Sequence, residues 1–196
     1  MDSPAQSNSS VKLFTARLVG ILILVLIVHA VTLHLMGRIP WCKCGFGLWT
    51  FHAWTSETSQ MFADPYSATH VLHGIIFYAV LWLVMPRTSL TMRFWISVAI
   101  EVAWEVVENT PFVIDRYRDA TAALDYTGDS MLNSVGDVLS AVLGFWVAAR
   151  LPWKATLALV LAIEVLLLVT IRDNLTLNVV MILHPIEAIK EWQTGG

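Results

Sequence analysis

Charge is what this sequence has least of. Asp, Glu, Lys and Arg make up 14% of its 196 residues, against 57% hydrophobic, and the mean hydropathy is +0.66. A soluble domain carries about 25% charged residues, so the deficit excludes an ordinary water-soluble globule and points to a multi-pass membrane protein. The net charge of -3 is too small to call for nucleic acid or a strongly anionic surface as partner. Zinc-finger spacing, a phosphate loop, a basic patch and internal repeats are all missing. Cysteine is nearly absent too: Cys42 and Cys44 stand as "WCKCG". A disulfide between them would close a very small ring. Two loop thiols, an incidental disulfide, and a paired redox or metal role are all readings of this spacing.

Long apolar runs are what the sequence does have. The expected architecture is all-α, a multi-pass transmembrane bundle of five spans. A polar disordered tail over residues 1–12 precedes a single helical domain over 13–192, with a short tail over 193–196. The first run, Ala16 to Met36, is long enough for a hydrocarbon core that needs about 20 residues. Val28-His29-Ala30 loosely fits a signal-peptide cleavage site, but the hydrophobicity continues past it, which favours an uncleaved anchor. Residues Gly37 to Asp64 are rich in aromatics, among them Trp41, Phe46, Trp49, Phe51 and Trp54, and suit a loop or short helix at the interface. Asp64-Pro65 reads as a helix start, opening a span to Met85. Span three covers Met92 to Asn109 and Pro111 stops it. A long loop, "VIDRYRDATAALDYTGDS", leads to span four, Met131 to Ala149, and span five covers Ala155 to Ile171. The patch Leu175 to Leu183 is too brief to cross. From Pro185 an amphipathic helix offers Ile186, Ile189 and Trp192 to a membrane surface.

Lysine and arginine in short loops set orientation. With the N-terminus inside, Lys12, Arg17, Arg87, Arg93, Arg150 and Lys154 lie on the cytoplasmic side, in short connections next to span ends. Arg38, Lys43, Arg116, Arg118, Arg172 and Lys190 lie outside, most of them diluted by acids in longer loops. The expectation is a cytoplasmic N-terminus.

Against this background "EVAWEVVENTPF", residues 101–112, is anomalous. Glu101, Glu105 and Glu108 share one helical face. Glu101 is about 8 residues from either end of its span, roughly 12 Å deep at a rise of 1.5 Å per residue. A charge there costs about 2.5–3.5 kcal/mol on insertion scales, so the stripe must face protein or a wet cavity. Span two opens with His70 and His73 on one face, and span four opens with Asp129, Asn133 and Asp137 on another. Because consecutive spans alternate direction, the three stripes lie near the same side of the membrane, the outer face on this topology. Each has a bland reading: interhelical hydrogen bonds for the histidines, an N-cap for Asp129 or Ser130, helix ties for Asn133 and Ser134. Glu101 fits that reading least, because a glutamine would bridge helices without the charge. Glu101, Glu105, Glu108, Asp129, Asn133 and Asp137 are the candidate catalytic residues, and His70 and His73 the candidate ligands for a divalent metal.

The Glu residues of "EVAWE" and "EVVEN", followed by Asp129, Asn133 and Gly136, resemble the VanZ-like group of small bacterial membrane proteins over part of the chain, although the loop from Glu108 to Asp129 is longer than in that pattern. From Leu13 to Trp192 the chain is more closely similar to a family of bacterial multi-pass proteins known only as a domain of unknown function, on "HVLHG", "WEVVEN", "YTGDSMLNSVGD" and "HPIEAIKEWQ". That resemblance implies a bacterial inner-membrane protein and supplies no reaction. Three functions fit the residues. The first is an enzyme acting on a lipid or lipid-linked substrate by acid–base or metal-assisted chemistry. The second is a cation- or proton-binding protein, and the third an accessory protein that recruits a partner.

Overall fold

The computed structural model describes residues 4–123 and 125–195, with side chains of the first helix from Thr15 onward. Among these residues eight helices follow one another: α1 (Pro4–Leu35), α2 (Ser67–Val84), α3 (Leu90–Glu108), α4 (Pro111–Ala120), α5 (Met131–Arg150), α6 (Trp153–Ile171), α7 (Leu175–Leu183) and α8 (Glu187–Thr194). No strand occurs among the described residues; the one β-like feature is an isolated bridge between Trp49 and Ala63. Residues 1–3 of the expected polar tail lie outside the described residues, as does Gly196; from Pro4 the backbone is helical.

Among the described residues, four helices are long and apolar enough to cross a membrane: Thr15–Leu35, Ser67–Val84, Met131–Arg150 and Trp153–Ile171. The first and last are apolar nearly all round. Leu24, Val28, Leu166 and Val169 stand exposed on them, which suits helices solvated by lipid rather than water. The expectation of five spans is corrected by one on this measure. α3 has the length, 19 residues, but Arg93 and its three glutamates make it too polar to qualify alone. It is nevertheless packed among the others, against α2, α5 and α1.

Side-chain pairs fix the helix directions. Ser67 meets Asp137 near the starts of α2 and α5, and Tyr78 meets Phe145 further along both, so these two run parallel. Glu101 reaches His70 while Phe94 packs on Phe145, so α3 runs antiparallel to them. The bundle interior therefore has two halves. One end is apolar, with Phe94, Val98 and Phe145 buried together and ring centroids 5.5 Å apart for Phe94–Phe145. The other end holds the histidines and acids.

The connections shape that second end. The segment expected to be a long loop after span three contains α4, started by Pro111 at its first turn, a position where a missing N–H costs nothing. Residues 36–66 form an irregular loop with Phe46, Leu48 and Phe51 exposed. Its carbonyls close off the start of α5, where helical N–H groups have no partner of their own. Met131 N donates to Ile39 O at 2.8 Å, and Leu132 N to Pro40 O at 3.0 Å. Gly136 lets the loop come this close, since a Cβ there would lie 1.8 Å from the carbonyl oxygen of Phe62. Cys42 and Cys44 are joined by a disulfide. The second helix begins at Ser67 with Tyr66 at its N-cap, two residues after the start expected at Asp64-Pro65, and Asp64 acts in the turn before it. Its carboxylate accepts from Tyr66 N at 2.8 Å and Ser67 N at 3.3 Å, capping the turn that leads into α2. Ser130, not Asp129, is the N-cap of α5. The C-terminal helix begins at Glu187, with Pro185 outside it.

An acid that the sequence reading passed over, Glu164 in α6, holds α7 in place. Its carboxylate accepts from Leu175 N at 3.0 Å and Thr176 N at 3.2 Å, satisfying the free donors at the start of α7.

Candidate functional site

The three polar stripes meet. His70 Nδ1 lies 2.6 Å from Glu101 Oε1 and 3.2 Å from Glu105 Oε1, and His70 Nε2 lies 3.9 Å from Asp137 Oδ2. His73 Nδ1 lies 3.2 Å from Glu101 Oε2. Glu101 and Glu105 are fully buried and His70 nearly so. Position on the helices explains the convergence: residues three and four apart share a face, and α2 and α5 bring their first turns to the last turns of antiparallel α3. His70 and His73 also pack edge to face, with ring centroids 4.9 Å apart.

These residues stand at one end of a cavity of about 1160 Å³. Of the eight sequence-predicted residues, His70, His73, Glu108, Asp129 and Asp137 line it, while Glu101, Glu105 and Asn133 stand behind the wall. Asn133 has no part in orienting the acids: its amide donates to the Met61 carbonyl at 2.9 Å and secures the loop. Asp129 forms a separate cluster. It accepts from Asn109 Nδ2 at 2.7 Å and from the Tyr126 hydroxyl at 3.0 Å, while its own N–H donates to Asn109 Oδ1 at 2.8 Å. Burial pushes the Asp129 carboxyl up from the usual range, and Asn109 and Tyr126 pull the other way. Burial likewise pushes the Asp64 carboxyl up, against the N–H groups of Ser59 and Tyr66.

Several members of the site were not read from the sequence. Ser134 donates to Glu105 Oε2 at 2.5 Å, and His29 of α1 lies 2.7 Å from the same hydroxyl. Ser67 donates to Asp137 Oδ1 at 2.7 Å. The available signal for His29 was an imidazole in an otherwise apolar run. Ser134 was expected only as a helix tie, and Ser67 carried no signal, because a serine at a helix start reads as a cap.

A third group closes the cavity from the α7 side. The Tyr66 hydroxyl donates to Asp173 Oδ2 at 3.1 Å, and the Tyr117 hydroxyl to Asn178 Oδ1 at 3.0 Å. Burial raises the Asp173 carboxyl to about 6, although Asn174 N–H and the Tyr66 hydroxyl oppose it. Because the folded value lies above the unfolded one, the group favours the folded state below about pH 4, and that contribution is lost as pH rises through about 6. At about 1.4 kcal/mol per unit this is on the order of 3 kcal/mol. Wild type in detergent is expected to gain that much stability from pH 7 to pH 4 relative to Asp173→Asn. Parallel pH profiles for the two proteins would contradict it.

Among the described residues, two sets of side chains bring possible metal-binding atoms within 4.8 Å of one another: His70, His73 and Glu101, and His70, Glu105 and Glu108. Arg38 and Lys43 line the same cavity at its loop side, while Phe77, Ile100 and Trp104 line it along α2 and α3.

Comparison with known proteins gives a consistent answer. The family model described as "Protein of unknown function (DUF2585)" matches residues 33–195. A UPF0314 protein of Sphingopyxis alaskensis is 48% identical over 185 residues, covering 94% of this chain and 95% of that one. A UPF0314 protein of Paracoccus denitrificans is 51% identical over 173 residues, with 88% and 90% covered. One from Brucella anthropi is 48% identical over 176 residues, with 89% of each covered. These matches lend no support to the partial VanZ-like likeness, and no solved structure matches the chain. With most of its length matched both by the model and by these relatives, the chain belongs to the DUF2585 family of proteins of unknown function.

Proposed function

We propose that this protein is an enzyme of the bacterial inner membrane, with its N-terminus in the cytoplasm, that acts on a lipid or lipid-linked molecule near the outer face by acid–base chemistry. One observation carries the reading: a single cavity is polar at the His70, His73 and Asp137 end and apolar along Phe77, Ile100 and Trp104. Ile100 lies well inside α3 and is 41% exposed, so the cavity wall continues onto the outer surface of the bundle at that depth. A water-soluble substrate has no use for such a wall; an acyl or prenyl chain does. Arg38 and Lys43 supply positive charge for an anionic head group. The orientation rests on the basic residues in short connections, and the bacterial membrane on the organisms of the relatives.

His73 is the residue placed to move a proton. Glu101 lies against its Nδ1, and no hydrogen bond to its Nε2 occurs among the described residues. A carboxylate on Nδ1–H leaves the lone pair on Nε2, the arrangement of an oriented general base. Nε2 would take the proton of a water or substrate hydroxyl, and Glu101 would stabilise the imidazolium that forms. Asp137, which also lines the cavity, is held by Ser67.

The test is a comparison of membrane lipids. Cells lacking the gene are expected to accumulate one lipid class, and wild type is expected to restore the normal profile. Asp137→Asn, expressed at the same level, is expected to leave the accumulation in place. Identical lipid profiles with and without the gene would overturn the proposal.

A further inference from the structure

The polar end of the cavity has more acceptors than hydrogens to share among them. His70 Nδ1 carries at most one hydrogen, yet it faces Glu101 Oε1 at 2.6 Å and Glu105 Oε1 at 3.2 Å. Glu105 is fully buried, and its Oε1 has no hydrogen-bond partner. Glu108 Oε2 is likewise buried without one. His73 Nδ1 faces both oxygens of Glu101, at 3.4 and 3.2 Å. No lysine or arginine pairs with these acids: among the described residues the one such ion pair joins Arg118 to Asp115, both on α4. A buried carboxylate without a cation is expensive, and this cluster has several.

We propose that the cluster binds one divalent transition-metal ion through His70, His73 and Glu101, whose ligand atoms lie within 4.8 Å of one another, with the unpartnered Glu105 Oε1 beside His70 as the fourth ligand. The spacing fits. Ligands bound at 2.0–2.1 Å in a tetrahedron are separated by roughly 3.3 Å. The pairs Glu105–His70 and Glu101–His73 already stand at 3.2 Å, while the Glu101–His70 pair at 2.6 Å has to open slightly. Two imidazole nitrogens with carboxylate oxygens and no thiolate suit Zn²⁺, Mn²⁺ or Fe²⁺ rather than Cu⁺. Ser134 holds the other oxygen of Glu105 at 2.5 Å, as a supporting residue of a metal site holds a ligand. An ion can reach the site, since His70, His73 and Glu108 line the cavity. The inference goes beyond the lipid reading and needs no substrate; an ion on His73 Nδ1 stands where that reading places the hydrogen shared with Glu101, so the two describe the ion-bound and the ion-free site.

The experiment uses full-length protein carrying a tag without histidine, in detergent, stripped with chelator and titrated with Co²⁺ alone. Wild type is expected to take up about one equivalent and to develop the visible absorption of Co²⁺ bound by nitrogen and oxygen. Glu101→Gln and His73→Gln are each expected to weaken binding by about tenfold or more. His70→Ala is expected to abolish the spectrum. Should His70→Ala fail to fold, the two glutamine variants, checked for a single monodisperse peak, decide. The proposal is overturned if monodisperse wild type binds no Co²⁺, or if these variants bind it as wild type does, which would mark surface histidines as the source. Ion binding without any lipid change would sink only the lipid reading; a lipid change without ion binding would sink only this one.

Discussion

Gly74→Ala and Gly144→Ala are each expected to cost about 4 kcal/mol or more, a fall in Tm on the order of 10 °C in detergent. The two glycines form a reciprocal contact between α2 and α5. A Cβ at Gly74 would lie 1.9 Å from the carbonyl oxygen of Ala141 and 2.7 Å from Phe145 N, and one at Gly144 would lie 2.0 Å from the carbonyl oxygen of Val71. The obstructing atoms are backbone, so no rotamer change relieves them, and the helices must separate. Intrinsic propensity opposes this result, because alanine is favoured over glycine in a helix interior by about 1 kcal/mol; the clash is several times larger and decides the sign. Close approach through small residues is how helices gain packing energy in lipid, where burial of apolar surface against another helix brings little. Gly20→Ala is the control, since nothing lies within 4 Å of a Cβ there, and its Tm should hold or rise slightly. Melting curves for Gly74→Ala and Gly144→Ala that match wild type would mean that α2 and α5 do not approach this closely.

The second large effect is chemical. His73→Ala is expected to lower turnover of the accumulating lipid by about 10²–10⁴-fold, the range that a positioned general base contributes. The fold should change little, because His73 is partly exposed to the cavity and bonds only to Glu101. The loss should fall on kcat more than on KM, because Phe77, Ile100 and Trp104, which would hold the substrate chain, all remain. A His73→Ala protein that keeps its turnover, measured on purified enzyme with the lipid identified from the deletion strain, would remove His73 from the chemistry.

Much of this architecture was legible from residue order alone, and the reason is physical. Glutamates at positions 101, 105 and 108 must turn from lipid, helices of alternating direction bring stripes at their ends to one side, and the structure joins His70 and His73 to Glu101 in that way. The helical class followed from the apolar runs. What was not legible depended on backbone paths between helices. The loop over 36–66 folds back onto the start of α5 and takes up Asn133, which by spacing alone belonged with the acids. Helix α4 hid in a polar stretch because its pattern is short, and the span count slipped because α3 is apolar on only part of its circumference. Glu164 shows the same limit: its partner is the start of a later helix, which no local pattern reveals.

The bridge from His29 through Ser134 to Glu105 has a mechanical meaning. A hydroxyl owns a single hydrogen, and Ser134 directs it to Glu105, so its lone pair must receive one from His29 Nε2. Helix α1 otherwise presents mainly greasy side chains to its surroundings, with Leu33 buried and Leu22 and Val25 packed on the apolar core. The polar latch adds a directional contact that helps to set its rotational phase. A change at Glu105 that drew the Ser134 hydroxyl away would therefore loosen the hold on the first helix.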